Sequence, residues 1–150
     1  MTILIAGGGP SGSYLANILS SHGIKVVLVE TLDNPNKRAF SSAALPMDDE
    51  LFKIIPEESI STFWDSWQIY GPNNKKYRWK GKSNLGVVLD FAKLRDSFWK
   101  SLEKSGVEIY LGWKVVNVIT YKDFAEVKII SKKGEIKTLF VNLVVDATGS

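Results

Sequence analysis

Apolar residues form two short continuous runs near the start of the chain, separated by a stretch with helical spacing. The runs, at residues 3–6 (ILIA) and 24–30 (IKVVLVE), are typical of parallel strands that are buried on both faces. Between them, residues 11–22 carry apolar side chains on one helical face, and Gly23 follows as a helix terminator. The first 30 residues therefore predict one strand–helix–strand unit.

The pattern changes after this unit. Residues 31–46 have the composition of a loop, and residues 47–63 predict one or two short helices. Aromatic residues, among them Trp64, Trp67 and Trp79, then crowd a short stretch of chain. These aromatic side chains either line a substrate pocket or pack the core of a sheet, and core packing is the interpretation that we favour. Antiparallel strands are expected here at residues 67–71, 75–81 and 86–90.

The rest of the chain combines one helix with further strands. Residues 91–105 predict an amphipathic helix that ends at Gly106, and residues 107–111 predict a strand after it. Later strands are expected at residues 113–120, 125–131, 135–141 and 142–146. The predicted fold is therefore α/β, with a parallel sheet, an antiparallel three-stranded meander and an aromatic-rich insertion. The insertion, at residues 47–90, separates the second and third parallel strands.

Composition narrows the chemistry that the chain can perform. It has no cysteine and only one histidine, His22, so disulfides, thiolate nucleophiles and histidine metal sites are not expected. A redox reaction would therefore need a bound organic cofactor. The net charge of +3 comes from scattered lysines, so we expect no nucleic-acid partner. With no signal peptide or membrane span in the sequence, we expect a soluble cytoplasmic protein.

The turn between the first strand and the helix carries the strongest functional motif. Gly7, Gly9 and Gly12 form G-x-G-x-x-G, with Gly8, Pro10 and Ser11 between them. In such a motif the first glycine permits a tight turn, the second lets a pyrophosphate approach the backbone, and the third lets helix and strand pack closely. The helix that follows directs its N–H groups and its dipole at the phosphates. A Rossmann-like dinucleotide site is therefore predicted, with a turn that binds nothing as the alternative.

An acidic residue ends the second strand at the expected place. Glu30 lies 18 residues after Gly12, where its carboxylate is positioned to accept hydrogen bonds from the ribose hydroxyls of an adenosine. The same charge would repel a 2′-phosphate, which disfavours NADP at this site. A solvated strand end is the alternative interpretation of Glu30. The strand–helix–strand unit does not itself distinguish FAD from NAD.

The chain as a whole resembles the amino-terminal part of FAD-dependent oxidoreductases of the p-hydroxybenzoate hydroxylase type. That superfamily includes aromatic monooxygenases, flavin-dependent halogenases and geranylgeranyl reductases. Five features carry the resemblance: GGGPSGSYLA at 7–16, Glu30, Arg38, LDFAKLRDSFWKSLEKSGVEIYLGWKV at 89–115, and VVDATG at 144–149. Many relatives carry an arginine at the start of the helix before the third strand, where this chain has Phe91. Lys93 and Arg95 are candidates to replace it.

The resemblance implies roles for named residues. The glycine turn would hold the FAD pyrophosphate, Glu30 the adenosine ribose, and Arg38 would lie near the ribose or pyrophosphate. Val115 would present its backbone to the adenine. The turn that ends the chain would form a second backbone surface near the cofactor. The complete set of implied cofactor-binding residues is Gly7, Gly8, Gly9, Pro10, Ser11, Gly12, Glu30, Arg38, Val115, Ala147, Thr148 and Gly149.

The resemblance also implies an activity, in which FAD accepts a hydride from NAD(P)H and passes the electrons to oxygen or to a carbon–carbon double bond. The substrate would be a small aromatic or isoprenoid molecule, and residues 47–90 would begin the substrate domain. No residue is assigned as a catalytic acid, base or nucleophile, and we expect the 150-residue chain alone to be catalytically incomplete. The alternatives are an NAD-dependent dehydrogenase domain and a truncated, non-catalytic nucleotide-binding module.

Overall fold

The computed structural model describes residues 1–34 and 42–149. They belong to two compact units, Met1–Ala39 with Arg95–Ser150, and Phe40–Leu94. In chain order the strands and helices are β1 (Thr2–Ala6), α1 (Pro10–Ser21), β2 (Lys25–Glu30), β3 (Ser42–Pro46), α2 (Asp49–Ile54), β4 (Ile60–Trp64), β5 (Ser66–Tyr70), β6 (Lys76–Lys80), β7 (Gly86–Asp90), α3 (Phe91–Leu102), β8 (Glu108–Leu111), β9 (Trp113–Thr120), β10 (Ala125–Ser131), β11 (Ile136–Val141) and β12 (Leu143–Asp146).

The first unit is built on a parallel sheet of four strands in the order β12-β1-β2-β8. Strands β1 and β2 lie at its centre and are almost wholly buried, which explains their continuous apolar sequences. The long crossover between β2 and β8 contains the second unit. The predicted parallel sheet is therefore confirmed.

Alternate side chains of the central strands enter two different cores. Leu4 and Val27 pack on one face of the sheet against residues of the meander, including Val127. Ile5 and Leu28 pack on the opposite face, where they meet residues of α1 and α3. The period of two along a strand produces this division, and the result is three layers: meander, parallel sheet and helices.

The meander and the end of α1 have the structures that were predicted from the sequence. The three strands β9, β10 and β11 form an antiparallel sheet in the order β11-β10-β9, as predicted.

After α1 the chain forms a Schellman turn, in which Ile24 N–H donates to Leu19 O (3.1 Å) and Gly23 N–H to Ser20 O (2.9 Å). Gly23 has φ +74°, a conformation that favours glycine, so the predicted terminator is confirmed.

The second unit differs from the prediction in two segments. Strand β3 lies in the stretch that was predicted as a loop. Where a second short helix was expected, the chain forms only a single 3-10 turn, Glu57–Ser59, and then strand β4. Strand β7 is largely buried, so the backbone N–H and C=O groups along both of its edges need hydrogen-bond partners. Strands β3 and β4 provide these partners by pairing with the two edges, in the order β3-β7-β4. Propensity within each segment does not reveal this non-local pairing.

The predicted antiparallel strands of the insertion are present, but they belong to two sheets. Strands β5 and β6 form a separate hairpin, while β7 pairs with β3 and β4. The expected core packing of the aromatic cluster is wrong for the hairpin, because Trp67 is 52% exposed and Trp79 55% exposed. These two residues are cross-strand partners, as are Ile69 and Tyr77, so the four side chains share one exposed apolar face.

The described helices are short. No helix within residues 1–34 and 42–149 has the length and apolar character needed to cross a membrane.

Candidate functional site

A cleft of about 710 Å³ lies in the first unit, at the carboxyl ends of strands β1, β2 and β12. This is the edge of a parallel α/β sheet at which ligands characteristically bind. The cleft volume falls within the range of roughly 300–1,000 Å³ that is typical of small-molecule sites. Its walls are formed by Ala6, Gly7, Gly9, Pro10, Ser11, Val29, Glu30, Thr31, Leu32, Arg95, Trp113, Lys114, Val115, Ala147, Thr148 and Gly149.

The three motif glycines occupy three different environments. Gly7 has φ +105°, and a Cβ there would collide with the carbonyl group of Ala147. A Cβ on Gly12 would collide with Gly7 O, so the helix and the turn approach each other too closely for any side chain. A Cβ on Gly9, by contrast, would meet no atom within 4 Å. Gly7 and Gly12 are therefore required for packing, whereas the space beside Gly9 is open for a ligand.

The backbone of Gly8 is held from both sides. Its N–H donates to Glu30 Oε2 (2.7 Å), and its carbonyl accepts from Trp99 Nε1 (3.0 Å). Both side chains are 6% exposed, so these hydrogen bonds lie in a buried environment. A Cβ on Gly8 would collide with the Trp99 ring. The conformation of the glycine turn is therefore set by β2 on one side and by α3 on the other.

The Glu30 carboxylate also organises the chain that follows β2. Its Oε1 accepts hydrogen bonds from Leu32 N–H (2.8 Å) and from the Thr31 hydroxyl (3.1 Å). A carboxylate offers about four lone-pair sites, and these contacts together with Gly8 use three of them. One acceptor site of Glu30, on the wall of the cleft, is thus compatible with a ligand hydroxyl.

The start of α1 is suited to an anion. Gly9 precedes the helix without a side-chain cap, Pro10 takes the first helical position, and the first turn carries no acidic residue. Because the first N–H groups of a helix have no partner within it, they present partial positive charge to the cleft. Backbone N–H groups and the helix dipole therefore favour a phosphate at this point.

A second turn, after β12, forms the opposite wall. Ala147 N–H donates to Ala6 O (2.8 Å), which continues the pairing of β12 with β1. Asp146 then accepts from both the N–H (3.0 Å) and the hydroxyl (2.7 Å) of Thr148. These hydrogen bonds favour the ionised carboxylate and hold the pKa of Asp146 below its ordinary value. Asp146 thus stabilises the turn that presents Thr148 and Gly149 to the cleft.

Most of the residues predicted from the sequence are brought together by the fold. Gly8 and Gly12 are buried behind the wall of the cleft, and Arg38 lies outside the described residues. The predicted residues that line the cleft are Gly7, Gly9, Pro10, Ser11, Glu30, Val115, Ala147, Thr148 and Gly149.

Three residues of the site were not predicted from the sequence. They are Trp99, which fixes the glycine turn, and the neighbours of Val115 in the wall, Trp113 and Lys114. The helical pattern of α3 places Trp99 beside its apolar face. The pattern does not predict the contact with Gly8, because Gly8 lies 91 positions earlier and the two meet only in the tertiary structure. The wall residues could have been found, because they adjoin the predicted Val115 on β9.

The sequence is similar to those of known proteins. Residues 1–44 match a family described as an FAD binding domain. The chain is 28% identical over 150 residues to the digeranylgeranylglycerophospholipid reductase of Haloferax volcanii, covering 98% of this chain and 35% of that protein. It is 40% identical over 58 residues to a flavin-dependent halogenase of Armillaria mellea, covering 39% of this chain and 11% of the halogenase.

A solved structure extends the comparison to the fold. The geranylgeranyl bacteriochlorophyll reductase-like protein of Thermoplasma acidophilum matches with a TM-score of 0.81 and 22% identity. The match covers 99% of this chain and 39% of that protein. The chain thus spans little more than a third of the length of either reductase. The predicted resemblance, the α/β Rossmann-like fold and FAD as the cofactor are confirmed by these similarities.

The contrast between Gly9 and Gly12 leads to a paired prediction. Gly9 has φ −65°, which alanine adopts readily, so Gly9→Ala should leave the free energy of unfolding within about 1 kcal/mol of the wild type. The new methyl group would occupy the open space beside the turn, and FAD affinity should fall by roughly tenfold or more. Urea unfolding and FAD titration measure the two effects.

Gly12→Ala is the matched variant for this experiment. Its methyl group would collide with Gly7 O, so it should lower the free energy of unfolding by about 1–3 kcal/mol. Equal effects of the two substitutions on stability, or undiminished FAD affinity in Gly9→Ala, would contradict the roles assigned to these glycines.

A second prediction concerns the hydrogen bond from Trp99. Trp99→Phe removes the donor and leaves the buried Gly8 carbonyl without its partner, which should lower the free energy of unfolding by about 1–3 kcal/mol. Trp79→Phe, at an exposed position, is the control and should change it by no more than about 0.5 kcal/mol. If both variants unfold at the same urea concentration, Trp99 does not hold the turn.

Proposed function

We propose that this chain is the FAD-binding part of a flavin-dependent oxidoreductase that takes its electrons from NAD(P)H. The observation that carries the proposal is the cleft itself, where open space beside Gly9 adjoins a helix start without acidic residues and the buried carboxylate of Glu30. The match of residues 1–44 to an FAD binding domain covers this same turn and carboxylate.

Within the proposal each part of the cleft receives one part of the cofactor. The turn from Gly7 to Gly12, including Gly8, Pro10 and Ser11, holds the pyrophosphate. Glu30 accepts hydrogen bonds from the adenosine ribose through its remaining lone pair. Val115 contacts the adenine through its backbone, and the turn at 147–149 provides a second backbone surface. Arg38, predicted from the sequence alone, would lie near the ribose or the pyrophosphate.

We further propose that the parent enzyme is a reductase of carbon–carbon double bonds. Sequence similarity to the reductase of Haloferax volcanii extends over 98% of the chain, whereas similarity to the halogenase extends over 39%. Bound FAD would supply hydride transfer from NAD(P)H to the substrate, and oxygen would not be consumed. Oxygen-dependent monooxygenation or halogenation is the alternative reaction.

The substrate in this proposal is an apolar, isoprenoid molecule. Residues 47–90 would begin the substrate domain, and the hairpin of β5 and β6 offers an exposed apolar face of Trp67, Ile69, Tyr77 and Trp79. Such a face is suited to hydrocarbon and aromatic ligands alike, because both gain from burial against it. A cytoplasmic location also remains part of the proposal.

Binding of fragments of the cofactor tests the cofactor site. The strand–helix–strand unit should recognise the adenosine diphosphate half, so ADP should compete with FAD while FMN and riboflavin should not. Displacement of FAD, followed by flavin absorption and fluorescence, measures this. Competition by NAD with no binding of FAD would instead favour the dehydrogenase alternative, and binding of none of these ligands would contradict the proposal.

The oxygen requirement tests the reaction class. The reduced, FAD-loaded parent enzyme should be reoxidised without oxygen by a prenyl substrate such as a geranylgeranyl lipid, with saturation of its double bonds detected by mass spectrometry. Reoxidation that needs oxygen and inserts an oxygen atom, or a halogen when halide is present, would show the alternative reaction.

A further inference from the structure

The hairpin of β5 and β6 has one apolar face and one polar face. Trp67 lies opposite Trp79 and Ile69 lies opposite Tyr77, so these four side chains form the apolar face. Each of them is between 42% and 55% exposed, and among the described strands the hairpin pairs with no third one. Several large apolar side chains exposed side by side are typical of a binding surface.

The polar face and the turn of the hairpin are basic. Lysines are scattered over the sequence as a whole, but residues 66–82 contain five basic residues and no acidic one. This segment therefore carries more positive charge than the net +3 of the complete chain. Within the part of the chain that the structure describes, Asp65 is its acidic partner, with Oδ2 3.7 Å from Lys80 Nζ. The five basic residues are Lys75, Lys76, Arg78, Lys80 and Lys82.

The charge and its position limit what can cover the apolar face. A second copy of the hairpin would bring like charges together, which disfavours self-association here. A single-stranded nucleic acid needs stacking rings and cations along one surface. Lys76, Arg78 and Lys80 instead alternate along β6 on the face opposite Trp67 and Trp79. Apolar side chains on one face and basic ones on the other are characteristic of segments that lie in a membrane interface.

We propose that this hairpin binds the surface of an anionic phospholipid membrane. Trp67, Ile69, Tyr77 and Trp79 would enter the boundary between headgroups and acyl chains, a depth that suits rings with one polar atom. The long basic side chains would remain among the lipid phosphates. Lys75 already lies at the edge of the apolar face, with its Nζ 5.4 Å from the centre of the Tyr77 ring. This inference goes beyond the proposed function, because it concerns the hairpin and requires no cofactor.

Co-sedimentation of the complete chain with lipid vesicles tests the proposal. The wild type should bind vesicles of phosphatidylcholine mixed with an equal amount of phosphatidylglycerol. Binding to phosphatidylcholine alone should be weaker by roughly tenfold or more, because the lipid charge is missing. Salt should weaken the binding to anionic vesicles, because it screens this attraction. Equal binding to both kinds of vesicle, or binding to neither, would overturn the proposal.

Charge variants locate the attraction. Lys76→Gln combined with Arg78→Gln should weaken binding to the anionic vesicles by about 10- to 30-fold, because two cations no longer interact with the lipid phosphates. Lys122→Gln combined with Lys133→Gln removes the same charge from exposed turns of the meander and should leave binding unchanged. If the two pairs weaken binding equally, only the net charge matters and the hairpin has no special role.

The apolar face has its own variant. Trp79→Gln should weaken vesicle binding by about tenfold or more, because the ring no longer contributes apolar burial. Phe140→Gln, at an exposed aromatic position on β11, is the matched control and should bind like the wild type. Unchanged binding of Trp79→Gln would show attraction to polyanions in general, nucleic acid included, and would overturn the proposal. A wild-type dimer in sedimentation velocity that Trp79→Gln dissociates would overturn it as well, because a second copy would then cover the face.

Tryptophan fluorescence shows directly which face enters the lipid. Bromine atoms on the acyl chains should quench the wild type bound to anionic vesicles. Trp67→Phe combined with Trp79→Phe keeps the face apolar, so it should still bind but lose most of the quenching. The other tryptophans, which lie outside the apolar face, are Trp64, Trp99 and Trp113. An equal quenched fraction in both proteins would contradict insertion of this face.

An FAD titration without vesicles separates this inference from the proposed function. If the wild type binds FAD but not anionic vesicles, only the present inference fails. If it binds anionic vesicles but not FAD, only the proposed function fails.

Discussion

The candidate site depends on the buried backbone of Gly8. Its N–H and carbonyl are bound by Glu30 and Trp99, which come from β2 and α3. Because Glu30 and Trp99 follow Gly8 by 22 and 91 positions, the turn takes its shape only when the parallel sheet and its helical layer have formed. The cleft is thus a product of tertiary packing, although the glycine motif beside it is local in sequence.

The glycine motif contains two kinds of position, those packed against protein atoms and one that faces open space. Gly7, Gly8 and Gly12 are surrounded by protein atoms that leave no room for a Cβ, while Gly9 faces open space. Glu30 both holds the turn through Gly8 and lines the cleft. A motif that looks uniform in the sequence therefore contains positions with distinct physical reasons for glycine.

Sequence patterns predicted the first unit well and the second unit poorly. Continuous apolar runs identified β1 and β2, and short polar turns delimited β9 and β10, because these features are local. Strands β3 and β4 were missed because each exists by pairing with β7, a non-local partner. The same reason applies to the site: the glycine turn could be predicted, but its contact with Trp99 could not.

The central claim is that the cleft beside the glycine turn binds the adenosine diphosphate half of FAD. The most direct test is an amide chemical-shift map of the protein on addition of ADP. The account predicts the largest changes at Gly9, Ser11 and Gly12, with further changes at Thr148 and Gly149. Changes concentrated in the hairpin of β5 and β6, with none at the glycine turn, would contradict it.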